Sequence, residues 1–239
     1  MLAERKTWKP HFSIVFTGLF AGGLGALALT LYVAAEGVLD TLTVEDGVVE
    51  YTTALCYLIA ATLFAWLVLR GRWGRGWFLL LAVGFFLVMG EEISWGQRLL
   101  GFSTPSAIEQ SNVQQELTLH NLEGLQDNAR LLGVVLFTLL YLALPIARGR
   151  DNELSKLIVR LRIPIPPMSC AVLALLGLGF MAVPRIQGAI VFSLDEVGEL
   201  YLALAAAVFG LSQWSEVRQG RATLNPPPVP PAASARETA

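Results

Sequence analysis

Two adjacent glutamates stand directly after a long apolar run, and they are the residues of this chain best suited to acid–base chemistry. Residues 77–89 are uncharged and mostly large and apolar, and residues 90–98 then read GEEISWGQR. Inserting a carboxylate at the centre of a membrane helix costs about 2.5–3.5 kcal/mol, and less near the membrane surface. Adjacent like charges also disfavour joint ionisation, so at least one of Glu91 and Glu92 is expected to carry a proton.

The spacing of the motif predicts how its side chains would be arranged if the helix continued through it. On a continuous helix, Glu91, Trp95 and Arg98 form one stripe with Ser94 beside it, and Glu92 points about a quarter-turn away. The structural interpretation is an ion pair between Arg98 and one of the glutamates that fixes helix packing. In the functional interpretation, the glutamates act as general acid and base and Arg98 holds a phosphate or carboxylate group.

His120, one of two histidines in the chain, is a candidate proton carrier or metal ligand. It lies in a polar segment, residues 112–122, that reads NVQQELTLHNL. If this segment is helical, Glu116 and His120 share one face and could bind a divalent metal together with Glu92. The signal is weak, because di-iron bundles repeat Glu-xx-His and need further carboxylates. The alternative is a hydrogen-bonded loop histidine, with Asn121 capping the next helix.

Further acids are predicted at the same end of the molecule as the motif. Ser193 and Glu196 have the spacing of a capping box that opens the last helix, whose positive end Asp195 suits. Glu50 is either a first-turn acid that stabilises a helix dipole or a wall of the same pocket. We predict one pocket, lined beyond Glu91, Glu92 and His120 by Glu50, Ser94, Trp95, Gln97, Asn121, Glu196 and Glu199.

Composition predicts that transmembrane helices position these residues. The chain is 54% hydrophobic and 15% charged, whereas soluble domains average about 25% charged residues. The apolar blocks are too long for buried soluble helices, and no basic groove for a nucleic acid is present. We predict an all-α, polytopic membrane helical bundle of about six transmembrane helices, with spans near residues 12–35, 50–69, 77–97, 130–147, 164–184 and 194–214.

Details of individual segments refine this prediction. The uncharged run 12–35 could imitate a signal peptide, but an h-region is only about 7–15 residues long, so we expect an uncleaved helix. Its small residues favour close helix packing at Gly18/Gly22 and Ala21/Gly25. In the loop 98–129, residues 103–106 read STPS, a helix-start signature. Cys56 and Cys170 lie near opposite membrane faces, too far apart for a disulfide.

The charge distribution predicts the orientation in the membrane. All but three of the 17 Lys and Arg residues fall on the side of the termini, and all but five of the 19 acids fall on the other side. The positive-inside rule then gives an N-in, C-in topology, with the motif and the loop 98–129 on the extracytoplasmic side. Residues 1–215 form a single transmembrane domain, and the Pro/Ala-rich tail 216–239 is predicted to be disordered in the cytoplasm.

The motif GEEISWGQR, followed by N-x-Q-x-E at 112–116 and LHNL at 119–122, resembles an uncharacterised family of bacterial multi-pass membrane proteins. Residues 45–50, EDGVVE, are similar to that family's start of the second span. The resemblance covers most of the chain. It implies a location in the bacterial inner (plasma) membrane, and it carries no activity.

Three function classes fit these residues. The first is an intramembrane enzyme that acts on a lipid or lipid-linked substrate by carboxylate acid–base or metal-assisted chemistry. The second is a non-catalytic assembly or accessory protein, and the third is a small transporter coupled to cations or protons. No serine-nucleophile elbow, P-loop or zincin signature selects a narrower class. Membrane lipids are the predicted partners, nucleic acids are not, and no protein partner is indicated.

Overall fold

A computed structural model of the chain describes residues 14–44, 46–70, 74–112, 115–119, 122–150, 152–186 and 192–219. This part of the chain is all-helical and contains no β-strand, only an isolated bridge between Asn112 and Leu122. In chain order the helices are α1 (Ile14–Ala34), α2 (Glu36–Thr43), α3 (Val48–Arg70), α4 (Arg75–Glu92), α5 (Gln97–Leu100), α6 (Ser106–Glu109), α7 (Gln126–Thr138), α8 (Leu144–Arg148), α9 (Glu153–Arg160), α10 (Met168–Ile186) and α11 (Phe192–Arg218). A 3₁₀ turn, Ser94–Gly96, precedes α5, and a π-helical segment, Leu139–Ala143, joins α7 to α8.

Several of these helices could cross a membrane. Three stretches, Ile14–Ala34, Gly37–Arg70 and Asn128–Arg148, are long and apolar enough, and Arg75–Glu92 with Ser94–Leu100 makes a fourth if that bent pair is one span. The apolar part of α10, Met168–Ala182, is shorter. Large apolar side chains on the outer faces of the long helices are exposed, as expected where lipid covers them; they include Leu19, Phe20, Leu79, Leu80, Leu132 and Leu136.

The core is formed where α11 packs against both α3 and α10, with α4 on the other side of α3. Small residues of α11 allow this close packing, since Ala203, Ala205 and Ala206 are fully buried. Aromatic rings fill the space between α3, α4 and α11: the centroid of Phe64 lies 5.0 Å from that of Phe209 and 5.8 Å from that of Phe85. Edge-to-face and offset contacts of this kind add to the energy of burial.

Helices α3 and α11 run in the same direction. Phe64 contacts Phe209, and the ring centroids of Trp66 and Trp214 are 6.5 Å apart near the two C-terminal ends. Glu50 and Glu196 therefore lie at one end of the bundle, in the first turns of α3 and α11, and the tryptophans lie toward the other.

One face of α1 packs on the bundle through small residues. Ala21 is fully buried, and the Tyr201 hydroxyl donates a hydrogen bond to its carbonyl at 2.6 Å. A Cβ at Gly25 would lie 3.1 Å from the same hydroxyl. The predicted Ala21/Gly25 packing face is thus confirmed. By contrast, a Cβ at Gly18 or Gly22 would meet no described atom within 4 Å, so these two glycines do not form a packing face.

Three predicted segments have different bounds in the structure. The third helix ends at Glu92 rather than continuing to residue 97, and the chain then bends by 71°. The fifth begins at Met168, after the prolines, because proline cannot donate the hydrogen bonds of a helix interior. The last runs to Arg218, so the first residues of the predicted tail are helical, and residues from 220 onward lie outside the described part.

Candidate functional site

The motif turns sharply after α4 because three consecutive residues have left-handed backbone conformations. The φ angles of Ser94, Trp95 and Gly96 are 46°, 56° and 75°. For residues other than glycine such a conformation costs about 1–3 kcal/mol each, so surrounding contacts must hold it. The predicted stripe of Glu91, Trp95 and Arg98 on one continuous helix is therefore wrong.

Trp95 is held by its contacts on α4. Its six-membered ring lies so close to Gly90 that a Cβ there would be 2.8 Å away. Its indole Nε1 donates a hydrogen bond to Glu91 Oε1 at 2.9 Å. A glycine is required at position 90 because any side chain would occupy the space of the indole.

Glu91 and Gln97 hold the following loop against the motif by accepting hydrogen bonds from the loop backbone. The second oxygen of Glu91 accepts a hydrogen bond from the backbone N–H of Leu119 at 2.7 Å. Gln97 Oε1 accepts from the N–H of Leu117 at 2.9 Å, and its Nε2 donates to Thr104 Oγ1 at 2.6 Å. The loop backbone thus bonds to motif side chains in place of regular secondary structure.

Arg98 joins the turn before α3 to the same loop. Its guanidinium forms ion pairs with Asp46 and Glu116, and Ser94 donates a hydrogen bond to the other oxygen of Glu116. The ion pair predicted between Arg98 and Glu91 or Glu92 stays a prediction. Through Asp46, Glu116 and the motif itself, Arg98 connects three segments of the chain.

Glu92 is the centre of a group of carboxylates from three helices, which we call the acid cluster: Glu50, Glu92, Glu196 and Glu199. Glu92 is the last residue of α4, and it is repelled most strongly by Glu199, then by Glu196 and Glu50. All four side chains are half-buried. Glu199, predicted to line the same pocket, thus lies within electrostatic range of Glu92.

Helix α3 contributes further polar groups on the face that carries Glu50. Thr53 and Tyr57 follow Glu50 at i+3 and i+7, and the Tyr57 side chain is within electrostatic range of both Glu92 and Glu199. Thr53 is fully buried, and its Oγ1 has no hydrogen-bond partner among the described residues. A buried hydroxyl without a partner is costly, which is typical of a site built to receive something else.

Glu50 bonds to the turn that precedes α3: its carboxylate accepts a hydrogen bond from the backbone N–H of Asp46. The same side chain is close enough to Glu92 for the two charges to repel. The two roles predicted for Glu50, a dipole-stabilising acid and a pocket wall, stay predictions.

The predicted capping box at the start of α11 is not formed. Helix α11 begins at Phe192, so Ser193 lies inside its first turn, where it is buried. Asp195 forms an ion pair with Arg130 of α7, with Nη2 and Oδ2 2.6 Å apart. This pair holds α7 to α11 next to the acid cluster.

The metal prediction receives no support from the described residues. Residues 115–119 are not helical, and the oxygens of Glu116 are bonded to Ser94 and Arg98. The described ranges contain no group of three or more His, Cys, Asp or Glu side chains that could hold a metal ion. His120 and Asn121 lie outside the described residues, so their predicted roles stay predictions.

Sequence reasoning missed Asp46, Tyr57 and Arg130. Asp46 and Arg130 were counted only as charges, and nothing local indicates their partners Arg98 and Asp195, which are distant in sequence. Tyr57 could have been found from its i+7 spacing to Glu50, which places both on one helix face.

The geometry divides the motif into two parts. Glu91, Gln97 and Arg98 are bonded within the protein and position the loop, whereas Glu92 belongs to a carboxylate cluster able to exchange protons. Comparison with protein-family models, with curated proteins and with solved structures finds no match for this chain. The function must therefore be argued from these residues.

Proposed function

We propose that this chain is a bacterial inner-membrane protein with six spans and both termini in the cytoplasm, and that its acid cluster carries out acid–base chemistry on a lipid or lipid-linked substrate. The charge asymmetry of the sequence supports the orientation. Helices α10 and α11 supply the fifth and sixth spans, since they pack along the same bundle as α3. The acid cluster then faces the extracytoplasmic leaflet.

The observation that carries the proposal is the position of Glu92 among three other carboxylates inside an apolar bundle. Carboxylates that repel one another in an apolar setting disfavour joint ionisation, so one of them holds a proton in this proposal while its neighbours remain proton acceptors. A proton donor beside a proton acceptor is the arrangement that general acid–base catalysis requires. Glu92 and Glu199 are the proposed donor and acceptor pair.

The role of binding a phosphate moves from Arg98 to Arg130 in this proposal. The guanidinium of Arg98 is already bound to two carboxylates, and a phosphate would have to displace one of them. Arg130 pairs with Asp195, the residue before Glu196, and its Nε is buried without a hydrogen-bond partner among the described residues. That N–H is available to an anionic group of the substrate.

Reconstitution in vesicles made from a total bacterial lipid extract tests the proposal. The wild-type chain and the Glu92→Gln variant are incubated in parallel, and lipid species are quantified by mass spectrometry. We expect a lipid product that forms with the wild type and forms at least about 100-fold more slowly with Glu92→Gln, the usual size of an acid–base contribution. Glu109→Gln, an exposed glutamate on α6, is the matched control. The absence of any product, or equal rates for Glu92→Gln, contradicts the proposal.

A non-catalytic assembly protein is the second candidate, and the bonding of the motif favours it. Glu91, Gln97 and Glu116 all bind loop backbone or motif side chains, so the motif could serve to present the loop to a partner protein. A purified complex that forms with wild type, dissociates in Glu91→Gln and persists in Glu92→Gln would favour this function over the enzyme.

A further inference from the structure

The end of the bundle opposite the acid cluster carries a second cluster, built from tryptophan and arginine. Arg70 is the last residue of α3 and Arg218 the last of α11. The guanidinium of Arg70 lies 5.8 Å from the ring centroid of Trp66, and that of Arg218 lies 5.0 Å from the ring centroid of Trp214. Because the two tryptophans contact each other edge to face, the two cation–π pairs form one unit, which we call the Trp/Arg cluster.

The cluster borders an open, mostly apolar cleft that carries a few polar groups. The cleft has a volume of about 370 Å³ and is lined by Trp214, Ser215, Arg218 and Gln219. Gln219 Nε2 donates a hydrogen bond to Ser215 Oγ at 2.7 Å, which orients both side chains along the wall. The cleft therefore offers a cation, a hydroxyl and an amide beside an aromatic surface.

Among the described residues, no carboxylate pairs with Arg70 or Arg218, whereas Arg98 pairs with Asp46 and Glu116 and Arg130 pairs with Asp195. Stacking on tryptophan uses the face of a guanidinium and leaves its N–H groups at the edge available. These N–H groups suit a phosphate, which they can bind in a bidentate manner.

The distance along the helices places the cluster at a membrane surface. Twenty residues separate Glu50 from Arg70 on α3, and at about 1.5 Å per residue this is about 30 Å. A bilayer hydrocarbon core has about the same thickness. If the acid cluster lies near one surface, the Trp/Arg cluster lies at the other, where tryptophan and arginine favour the headgroup region.

We propose that the Trp/Arg cluster and its cleft bind the phosphate of an anionic phospholipid from the leaflet on that side. Arg218 binds the phosphate in the cleft, Arg70 adds a second cation beside the tryptophan pair, and Ser215 and Gln219 bind the remaining headgroup oxygens. The tryptophan rings pack against the glycerol and upper acyl chains. Arg150 and Arg160 are exposed and lie outside the cleft. Arg160 is at the same end of the bundle, since the carbonyl of its neighbour Leu161 accepts a hydrogen bond from Trp77 at the start of α4. This site is independent of the proposed acid–base function.

Native mass spectrometry of the full chain in neutral detergent, titrated with phosphatidylglycerol and separately with phosphatidylcholine, tests the proposal. We expect tighter binding of phosphatidylglycerol and a loss of at least about tenfold in Arg70→Gln/Arg218→Gln, since two charge-assisted hydrogen-bond donors are removed. Arg150→Gln/Arg160→Gln removes the same charge at the same end and is expected to stay within about twofold of wild type. Arg70→Lys/Arg218→Lys keeps the charge without the bidentate geometry and also loses affinity; it serves if the Gln variant does not fold.

The proposal fails if the protein binds the two lipids equally, or if a folded Arg70/Arg218 variant (Gln or Lys) keeps wild-type affinity for phosphatidylglycerol. It also fails if the Arg150/Arg160 control loses as much affinity as the Arg70/Arg218 variant, or if millimolar glycerol 3-phosphate displaces the lipid. The last result would assign the cleft to a soluble phosphate instead of a lipid.

Discussion

At the scale of residues, Glu91 and Glu92 differ: the side chain of Glu91 stabilises the fold through hydrogen bonds, and that of Glu92 does not. Glu91 uses both oxygens in hydrogen bonds, to Trp95 and to the backbone of Leu119. Glu92, its neighbour in sequence, sits among other acids instead. Because like charges in an apolar setting destabilise the folded state, a carboxylate in this position contributes little to stability.

Substitution of Glu92 by glutamine should therefore stabilise the fold. At neutral pH Glu92 ionises in the unfolded chain but holds a proton in the proposed folded state, and that protonation costs free energy. Glutamine keeps the shape of the side chain and has no such cost, so the free energy of unfolding should rise by about 1 kcal/mol. Thermal unfolding in detergent measures the change, with Glu109→Gln as the exposed control. A clear decrease in stability would mean that Glu92 is a structural residue.

The Gly90 and Trp95 contact gives a second prediction at this scale. Gly90→Ala places a methyl group against the indole ring, which would have to leave its position and give up its bond to Glu91. We expect a loss of about 1–3 kcal/mol, as for other overpacked sites, with a change in tryptophan fluorescence.

Gly84→Ala is the control for Gly90→Ala, because Gly84 lies on the same helix and a Cβ there meets no atom within 4 Å. It should leave stability unchanged or raise it slightly, since alanine is the better helix former. Equal effects of the two substitutions would show that the Trp95 contact is unimportant.

At the scale of elements, the helices were predictable from the sequence, whereas the left-handed turn at Ser94–Gly96 was not. The apolar runs gave α1 and α3 nearly to their ends, and Pro105 predicted the start of α6. Periodicity assumes that a helix continues until a breaking residue appears, and Ser94 and Trp95 are not breaking residues. Their left-handed backbone depends on contacts with Gly90 and with Glu116 of the loop, which no local pattern encodes.

The acid cluster was partly predictable for a simple geometric reason. Charges near helix ends on one side of a membrane must lie at similar depth, so charge asymmetry alone brings Glu50, Glu92 and Glu199 to one end of the bundle. Which acids contact one another depends on helix neighbours. The adjacency of α4, α3 and α11 follows from packing of small residues and aromatic rings.

The contact between α10 and α11 can be tested with glycine substitutions. A Cβ at Gly177 would lie 2.7 Å from the carbonyl oxygen of Gly198, and a backbone atom cannot move aside without moving its helix. Gly177→Ala should therefore cost about 1–3 kcal/mol of stability and should reduce any activity of the acid cluster. Gly179→Ala, two residues along the same helix, meets no atom within 4 Å and should be tolerated.

Thermal unfolding and the lipid assay, applied to both glycine variants, measure these effects. A stable Gly177→Ala variant would show that the two helices are free to separate at this point.

At the scale of the whole molecule, the polar groups divide between two ends that are about one bilayer apart. The acid cluster and the fastened loop occupy one end, and the Trp/Arg cluster occupies the other. Exposed apolar side chains cover much of the surface between them. Such a division is typical of a membrane protein in which each end meets a different aqueous compartment.

Labelling with a membrane-impermeant maleimide tests the orientation. In a background in which Cys56 and Cys170, both free and buried, are replaced by alanine, Ser103→Cys should react in intact spheroplasts. Arg160→Cys should react only after the membrane is opened, because the proposed topology places it in the cytoplasm. The reverse pattern would invert the topology and the leaflet from which the acid cluster is reached.

For the proposed function, the close contact of Gly177 with Gly198 also determines which side of the acid cluster can open to a substrate. Gly198 lies between Glu196 and Glu199, so two members of the acid cluster belong to a fixed wall. Glu92 lies at the end of α4, where the chain bends by 71°. For the proposed function, a lipid substrate would then enter by displacement of α4 and its loop, and the hydrogen bonds from Leu117 and Leu119 to the motif would oppose that opening.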